Sequence, residues 1–410
     1  MSHGFVVKAS EDVPLELLEE YDISLSPVIY RGSEEAEDVA RHFVEAIVEV
    51  GRKVEKLLKT NKTIIMSETE EKLFKKCNLC KCYLTEHDKV RDHCHLSGKF
   101  RQTLCFKCNL TLKQPKFVPR FFHNLSNYDS NFIITELAYD SKTISVNPNS
   151  EEKFISFSKY LSSTFTIRFI DTMRFMASYL ERLAENLVTP DLEKFRETGK
   201  HFFDGYMSLV TRKGVYPYEY TDSWRKLDED RLPKKEDFYS TLKESDIEED
   251  EYIHAAEVWR HFGCSTLGEY SDLYLKIDVL LIADVFETFR DVCLTVYTID
   301  SAYYYTTPGM SFDCMLKKTM VKLELLTDYE MLLMFEKRYS SAIGAGNNLY
   351  GYLMGEYMPI GGFEWVKLLL MGLNDLNDTS PIGRIYEVDI VYPKELHDRH
   401  KDLPLLLKTQ

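Results

Sequence analysis

Long uncharged apolar runs are absent from this sequence of 410 residues, in which 29% of the residues are charged and the mean hydropathy is −0.30. Without such a run, we expect no membrane-spanning helix. Residues 1–5 also lack the charged and then apolar order of a signal segment. We therefore expect an intracellular protein, nuclear or cytoplasmic.

An excess of basic charge is also lacking, since 51 Lys and Arg residues stand against 66 Asp and Glu residues and give a net charge of −15. This balance excludes a generally basic nucleic-acid coat, so any DNA contact must be local. Apolar residues make up 44% of the chain and aromatic residues 13%, which is enough for two or three packed domains. A chain of this length needs no disulfide framework for stability.

The nine cysteines are unevenly distributed, because six of them lie between positions 77 and 108. Two pairs in this stretch, Cys77-x-x-Cys80 and Cys105-x-x-Cys108, have the spacing of a tetrahedral four-thiolate Zn²⁺ site. In a reducing compartment such a cluster is more often a metal site than a set of disulfides. We therefore predict a structural zinc site. The other five are expected to be reduced thiols, the last three of them in the core: Cys82, Cys94, Cys264, Cys293 and Cys314.

The periodicity of apolar residues predicts a mixed α/β protein. An amphipathic helix is predicted to begin at Ser33, with acidic residues in its first turn where the helix dipole favours them. A long helix is predicted at about 272–297, and the heavily charged residues 222–252 indicate an exposed insertion or linker. Strands are predicted at 5–7, 27–30, 117–122, 166–170, 348–352 and 385–391.

Between the two cysteine pairs lie Asp92 and His93, and Asn109 directly follows Cys108. This order resembles the zinc-stapled ββα endonucleases of the endonuclease VII and HNH type. The resemblance implies that the cysteines are structural, that Asp92 and Asn109 bind a catalytic Mg²⁺, and that His93 activates the attacking water. A hard cation with two oxygen ligands and a neutral imidazole beside it suit phosphodiester hydrolysis. The alternative is a zinc knuckle retained for folding or DNA grip without cleavage.

The same stretch is basic within an acidic chain, which makes it the best candidate for a DNA contact. We expect Arg91, Lys99 and Arg101 to contact DNA. Further basic residues surround them: Lys81, Lys89, Lys107, Lys113, Lys116 and Arg120.

Two later sequence fragments are informative when they are considered together and in their order along the chain. His123-Asn124-Leu-Ser-Asn-Tyr128-Asp129 runs from a strand into a helix start, and Tyr274 and Asp278 lie one helical turn apart. Each fragment alone is weak, since an Asn or Asp at a helix entrance is usually a cap. Together they resemble the second and third exonuclease motifs of protein-primed family B DNA polymerases, the group of viruses, organellar plasmids and large self-synthesising transposons.

This resemblance implies a ribonuclease H-like 3′–5′ exonuclease domain. Asp129 and Asp278 would bind the catalytic metals, Tyr274 would orient the attacking water, and His123, Asn124 and Tyr128 would hold the unpaired primer end. The run Lys213-Gly-Val-Tyr-Pro-Tyr218 and the run around Asp171 also look like the transposon-type branch, which carries an endonuclease VII-like insert in this position.

The resemblance divides the chain into four parts. Residues 1–70 would be the N-terminal part of the exonuclease domain, 71–115 the zinc insert, 116–300 the exonuclease-like domain, and 301–410 a truncated polymerase palm. The partners implied are DNA and a terminal protein or other element-encoded replication proteins. No membrane partner is expected.

Two catalytic elements of that family are missing from the sequence. Its first motif, an Asp-x-Glu on the central strand, has no counterpart before Cys77, and Glu68-Thr-Glu70 and Glu387-Val-Asp389 are poor substitutes. Ala345 stands where the first palm motif has a metal-binding Asp. We therefore expect a fragment truncated at both ends, without proofreading or nucleotide addition. The alternatives are a zinc-stabilised DNA-binding remnant, an HNH-type endonuclease, or a degenerate gene product that merely folds.

Overall fold

The computed structural model describes residues 2–34, 38–66, 75–85, 87–112, 114–149, 154–242, 244–333, 361–366 and 380–382. The chain divides into two compact units, residues 1–312 and 313–410. The strands are β1 Ser2–Phe5, β2 Val28–Arg31, β3 Lys89–His93, β4 Phe100–Cys105, β5 Phe117–Phe122, β6 Ile144–Pro148, β7 Phe154–Tyr160 and β8 Thr166–Asp171. The α-helices are α1 Leu15–Glu20, α2 Val39–Leu58, α3 Phe106–Thr111, α4 Ser130–Glu136, α5 Leu180–Glu185, α6 Arg196–Gly199, α7 Met207–Val210, α8 Glu249–His261, α9 Leu267–Tyr297 and α10 Thr307–Thr319.

The largest sheet of the first unit has the strand order β5-β8-β7-β6. β5 and β8 are parallel, with Phe122 opposite Asp171 at their carboxyl ends, whereas the other two pairings are antiparallel. Because parallel strands end at the same edge, Asp171 lies beside the loop that follows β5. β1 and β2 form a separate antiparallel pair.

Helix α2 covers one face of this sheet. Its apolar residues recur at three- and four-residue intervals, and Val44 and Ile47 are completely buried in one cluster with Ile167 and Phe169 of β8. The predicted start at Ser33 was wrong. The helix begins at Val39 because Asp38 is the residue whose carboxylate accepts the Arg41 N–H, at 3.1 Å.

Helix α9 packs on the other face and is longer than predicted. It begins at Leu267, five residues before the expected start, because Thr266 caps its N-terminus by accepting the Glu269 N–H. The ring of Phe286 lies 3.9 Å from that of Phe121, between centroids, which joins α9 to β5. Leu280 and Leu281 are completely buried in a second core cluster with residues of α5.

Most of the described residues in 222–252 are exposed, as predicted, but this segment is not a detached insertion or linker. A short 3-10 helix, Trp224–Asp228, packs against α9, and Phe238 is buried. The acidic residues instead supply the first turn of α8. The strands predicted at 348–352 and 385–391 lie outside the described residues.

The cysteine-rich stretch forms an antiparallel hairpin, β3 and β4, followed by α3. This is the ββα order that the endonuclease resemblance implies. The described part of the chain is mixed α/β, as predicted; a ribonuclease H-like topology stays a prediction. No described helix combines the length and the apolar character that a membrane crossing requires.

Candidate functional site

The four paired cysteines meet in one cage. The sulfur atoms of Cys77, Cys80, Cys105 and Cys108 all lie within 4.8 Å of one another, and the Cys80 and Cys105 sulfurs are 3.8 Å apart. Tetrahedral thiolates at about 2.3 Å from a zinc ion would be about 3.8 Å apart. The donor set and the spacing therefore fit a metal ion such as zinc.

Local turns hold the two halves of the cage together. Lys81 has a left-handed backbone with φ 62°, and its N–H donates to the Cys77 carbonyl at 3.0 Å. The Asn78 N–H donates to the Thr103 carbonyl at 2.9 Å, which ties the first cysteine pair to β4. Cys82 is a fifth, exposed thiol, with its sulfur 3.3 Å from that of Cys80.

Asp92 is not an open ligand in this structure. Only 8% of its surface is exposed, and both carboxylate oxygens accept hydrogen bonds from β4. Arg101 donates through Nε at 3.1 Å and through Nη2 at 2.8 Å, and Gln102 donates through Nε2 at 3.2 Å. Asn109 is half-buried on α3. A Mg²⁺ at this position would have to compete with the Arg101 guanidinium for Asp92.

His93 is positioned through one ring nitrogen. Its Nε2 donates to the Lys62 carbonyl at 3.1 Å, because a carbonyl oxygen can only accept, so Nδ1 of the neutral ring is left as the basic nitrogen. The ring of His95 lies 5.0 Å away, and burial, followed by the charges of His93 and Arg101, lowers the pKa of His95. Gly98 makes the turn before β4 with φ 76°, where an added Cβ would lie 2.5 Å from the Thr63 carbonyl oxygen.

The three basic residues of this hairpin that are predicted to contact DNA differ in solvent exposure and in their existing partners. Lys99 is exposed, Arg91 is half-buried, and the half-exposed Arg101 is engaged with Asp92. Lys99 is therefore the most accessible of the three, while Arg101 positions Asp92.

At the corner after β5, backbone N–H groups converge on Asp171. Its carboxylate accepts from Asn124 at 2.9 Å, from Ser126 at 3.0 Å and from Met173 at 3.0 Å. Asn124 adopts a left-handed conformation with φ 72°, which Asn tolerates better than most residues. The side chain that shapes this corner is thus Asp171, which is 98% buried.

His123 faces the protein rather than a ligand. Its Nε2 donates to the Ser178 carbonyl at 2.9 Å, and its Nδ1 lies 2.9 Å from the Thr172 hydroxyl. Burial lowers the pKa of His123. Tyr128, in contrast, is 63% exposed with its ring 5.6 Å from that of Phe132, so its surface is available for stacking.

Asp129 stands at the N-cap position of α4, yet its carboxylate makes no capping hydrogen bond. Burial and the negative charge of Asp171 raise the pKa of Asp129 to about 6. The carboxyl group of Asp129 is thus uncapped and lies in the field of a second carboxylate.

Asp278 is ion-paired on α9 with Lys213. Burial raises the pKa of Asp278, and the Lys213 charge opposes that rise. The Tyr274 hydroxyl lies 2.9 Å from the Tyr218 hydroxyl, and the Lys213 ammonium lies 5.0 Å from the centre of the Tyr274 ring. Burial, followed by the charge of Asp278, raises the pKa of Tyr274. The lysine therefore supplies the positive charge beside Asp278.

The family model for DNA polymerase type B, organellar and viral, matches residues 112–344, more than half of the chain. The chain belongs to this family. The model for recombination endonuclease VII matches residues 52–131, which include the cysteine cage and the β3–β4 hairpin. Comparison with curated proteins gave no match, and comparison with solved structures gave none either.

In this type B polymerase relative, two predicted residues interact with two residues, Asp171 and Lys213, to which the sequence pattern assigned no role. Asp129 interacts electrostatically with Asp171, and Asp278 pairs with Lys213. Within the described residues, three or more His, Cys, Asp or Glu side chains lie close enough to share one metal ion at the cysteine cage. No such group occurs at Asp129 or Asp278 among those residues. Asp171 and Lys213 lie in runs that carry the family resemblance, which is the signal that could have identified them.

Proposed function

We propose that this chain is a DNA-binding relative of type B polymerases, derived from the replication machinery of a mobile or viral element, with impaired catalysis. The observation that carries the proposal is the ion pair between Asp278 and Lys213. Two-metal hydrolysis of a phosphodiester requires carboxylates that converge on the cations. A carboxylate neutralised by a lysine has less charge to offer a metal.

The other carboxyl groups of the corner support the same conclusion. Asp171 already accepts three backbone N–H groups, whereas the Asp129 carboxylate makes no capping hydrogen bond. No described strand carries the Asp-x-Glu that the family resemblance implies. Weak Mg²⁺ binding at Asp129, with little hydrolysis, is what this arrangement supports.

The zinc insert would be the part of the protein that binds DNA. Four thiolates would hold a structural Zn²⁺, which contributes about 10–16 kcal/mol of apparent binding energy in comparable small sites. The ion would fix the hairpin that presents Lys99 to the phosphate backbone. Element-encoded replication proteins, including a terminal protein, are the protein partners we propose, in the nucleus or the cytoplasm.

Exonuclease activity can be tested on a 5′-labelled single strand with Mg²⁺ or Mn²⁺. We expect the chain to bind the DNA and to shorten it no faster than Asp129→Asn and Asp278→Asn variants do. Shortening by the unmodified chain that either variant abolishes would overturn the proposed impairment. Primer extension with all four deoxynucleotides should also be absent, because Ala345 offers no carboxylate to a metal.

A second candidate function is an HNH-type endonuclease, which the match over residues 52–131 favours. Because Nε2 of His93 donates to the Lys62 carbonyl, Nδ1 is the nitrogen that could accept a proton, and His93 directly follows Asp92 in the sequence, as that chemistry needs. Cleavage of branched or duplex DNA with Mg²⁺ that disappears in His93→Ala, but persists in the exposed control His87→Ala, would support this function. Here Mg²⁺ would be held by Asp92 and Asn109.

A further inference from the structure

An open cavity of about 370 Å³ lies at the amino end of the parallel strand pair. Phe117 and Thr166, the first residues of β5 and β8, are paired there, while Phe122 and Asp171 end the same strands. Five residue steps of about 3.3 Å place the cavity roughly 17 Å along the strands from the Asp171 corner. The lining includes Lys116, Tyr160, Thr166, Arg168 and Tyr305.

The lining is positively charged, although the chain as a whole is acidic. It contains one lysine, one arginine and five hydroxyl residues of Ser and Thr, and no carboxylate. Neither Lys116 nor Arg168 forms an ion pair with any residue that the structure describes. Two uncompensated cations among hydroxyl donors are suited to bind an anion such as a phosphate group.

Arg168 is held in place by aromatic rings. Its guanidinium carbon lies 3.6 Å from the centre of the Phe117 ring and 5.4 Å from that of Tyr305. Stacking of this kind fixes the plane of the guanidinium group while its N–H groups stay available to a ligand. Tyr160 and Tyr305 add aromatic surface within the same cavity.

We infer that this cavity binds one nucleotide unit of single-stranded DNA, with Lys116 and Arg168 on the phosphate and a tyrosine ring against the base. The volume lies at the low end of the range of about 300–1,000 Å³ that is usual for small-ligand sites. Aromatic stacking combined with a basic groove is how proteins hold single strands without sequence preference. The inference rests on the proposed function, since it takes DNA as the ligand.

The test measures binding of a fluorescent (dT)₁₂ strand to the full chain over a range of salt concentrations, without divalent cations. We expect Lys116→Gln and Arg168→Gln each to weaken binding about three- to tenfold and to reduce the slope of log K against log salt by about 0.7. The matched control is Lys56→Gln, which removes an exposed charge from α2 on the opposite face of the sheet. Circular dichroism checks that every variant is folded.

A second measurement locates the strand directly. A (dT)₁₂ strand carrying 4-thiothymidine should cross-link to peptides containing Tyr160 or Tyr305, and Arg168→Gln should reduce the yield. If the chain binds DNA but both cavity variants match Lys56→Gln and no such peptide cross-links, the inference is wrong while the proposed function stands. If the chain binds no DNA, both fail. If free thymidine monophosphate displaces the strand at equal concentration, the cavity takes a free nucleotide and the single-strand assignment is wrong.

Discussion

At the scale of single residues, buried carboxylates organise this protein by accepting backbone N–H groups. Asp171 collects three of them at the corner after β5. Asp284, on α9 and 1% exposed, accepts the N–H groups of Glu197 at 2.6 Å and Thr198 at 3.0 Å, and the Thr198 hydroxyl at 2.6 Å. It thereby anchors the start of α6.

We expect Asp284→Ala to lower the free energy of unfolding by about 3 kcal/mol, because three buried donors would lose a charged acceptor. Asp291→Ala is the matched control on the same helix. Asp291 is about half exposed in its ion pair with Arg196 of α6, so its loss should cost less than about 1 kcal/mol. Urea unfolding measures the free energy of unfolding of both variants. Equal losses would show that the buried hydrogen bonds of Asp284 contribute no more to stability than the exposed ion pair of Asp291.

The raised pKa of Asp129, about 6, predicts a pH-dependent stability. A carboxyl whose pKa is higher in the folded state than in the unfolded state lowers stability as pH rises through the window between the two values. Asp129→Asn removes this effect. The free energy of unfolding of the variant, relative to that of the unmodified chain, should therefore rise by about 1 kcal/mol from pH 5 to pH 7.5. Asp228→Asn, at an exposed position, should show no such gain. A gain for Asp129→Asn that is the same at both pH values would contradict the prediction.

At the scale of elements, the cysteine cage could be predicted because its ligands are set by local spacing. The Asp278 and Lys213 pair could not, since the two residues are separated by 65 positions and meet because α9 packs across the first unit. Likewise, the role of Asp171 depends on the parallel pairing of β8 with β5, which the sequence pattern did not specify. The start of α2 was misplaced because the acidic residues after Ser33 were assigned to the first turn, whereas one of them, Asp38, is the N-cap.

The cage predicts a distinction between neighbouring thiols. Cys80→Ser should lose the bound metal, since it removes one of four ligands, whereas Cys82→Ser should retain about one zinc per chain. Metal content after dialysis, measured by mass spectrometry, decides between the two. Retention of metal by Cys80→Ser, or its loss from Cys82→Ser, would mean that the fifth thiol is the true ligand.

At the scale of the whole molecule, a net charge of −15 and a local basic hairpin act against each other. The acidic bulk repels DNA, so binding must depend on a few lysines and arginines and must weaken steeply with salt. The net charge predicted that any DNA contact would be confined to a local basic region. The sequence placed Lys116 among the basic residues near the hairpin, but it did not indicate that Lys116 shares a cavity with Arg168. Arg168 is isolated in the sequence and gains its surroundings from three strands and neighbouring loops.

For the hairpin, Lys99→Gln should weaken binding of duplex DNA several-fold, because one phosphate contact is lost. Lys194→Gln provides the control, as Lys194 is exposed and lies outside the zinc insert. Fluorescence anisotropy at two salt concentrations measures the difference. Equal affinities of the two variants would mean that the hairpin does not contact the duplex.

The position of the insert between α2 and β5 has a consequence for how the chain assembles. These two elements pack together, with the rings of Phe43 and Phe122 6.0 Å apart, yet residues 59–116 separate them along the sequence. A metal that joins Cys77 to Cys108 bypasses about half of that connection, which lowers the entropy cost of closing it by about 0.6 kcal/mol. Metal that is already bound should therefore accelerate the docking of the helix on the nascent sheet by about two- to threefold.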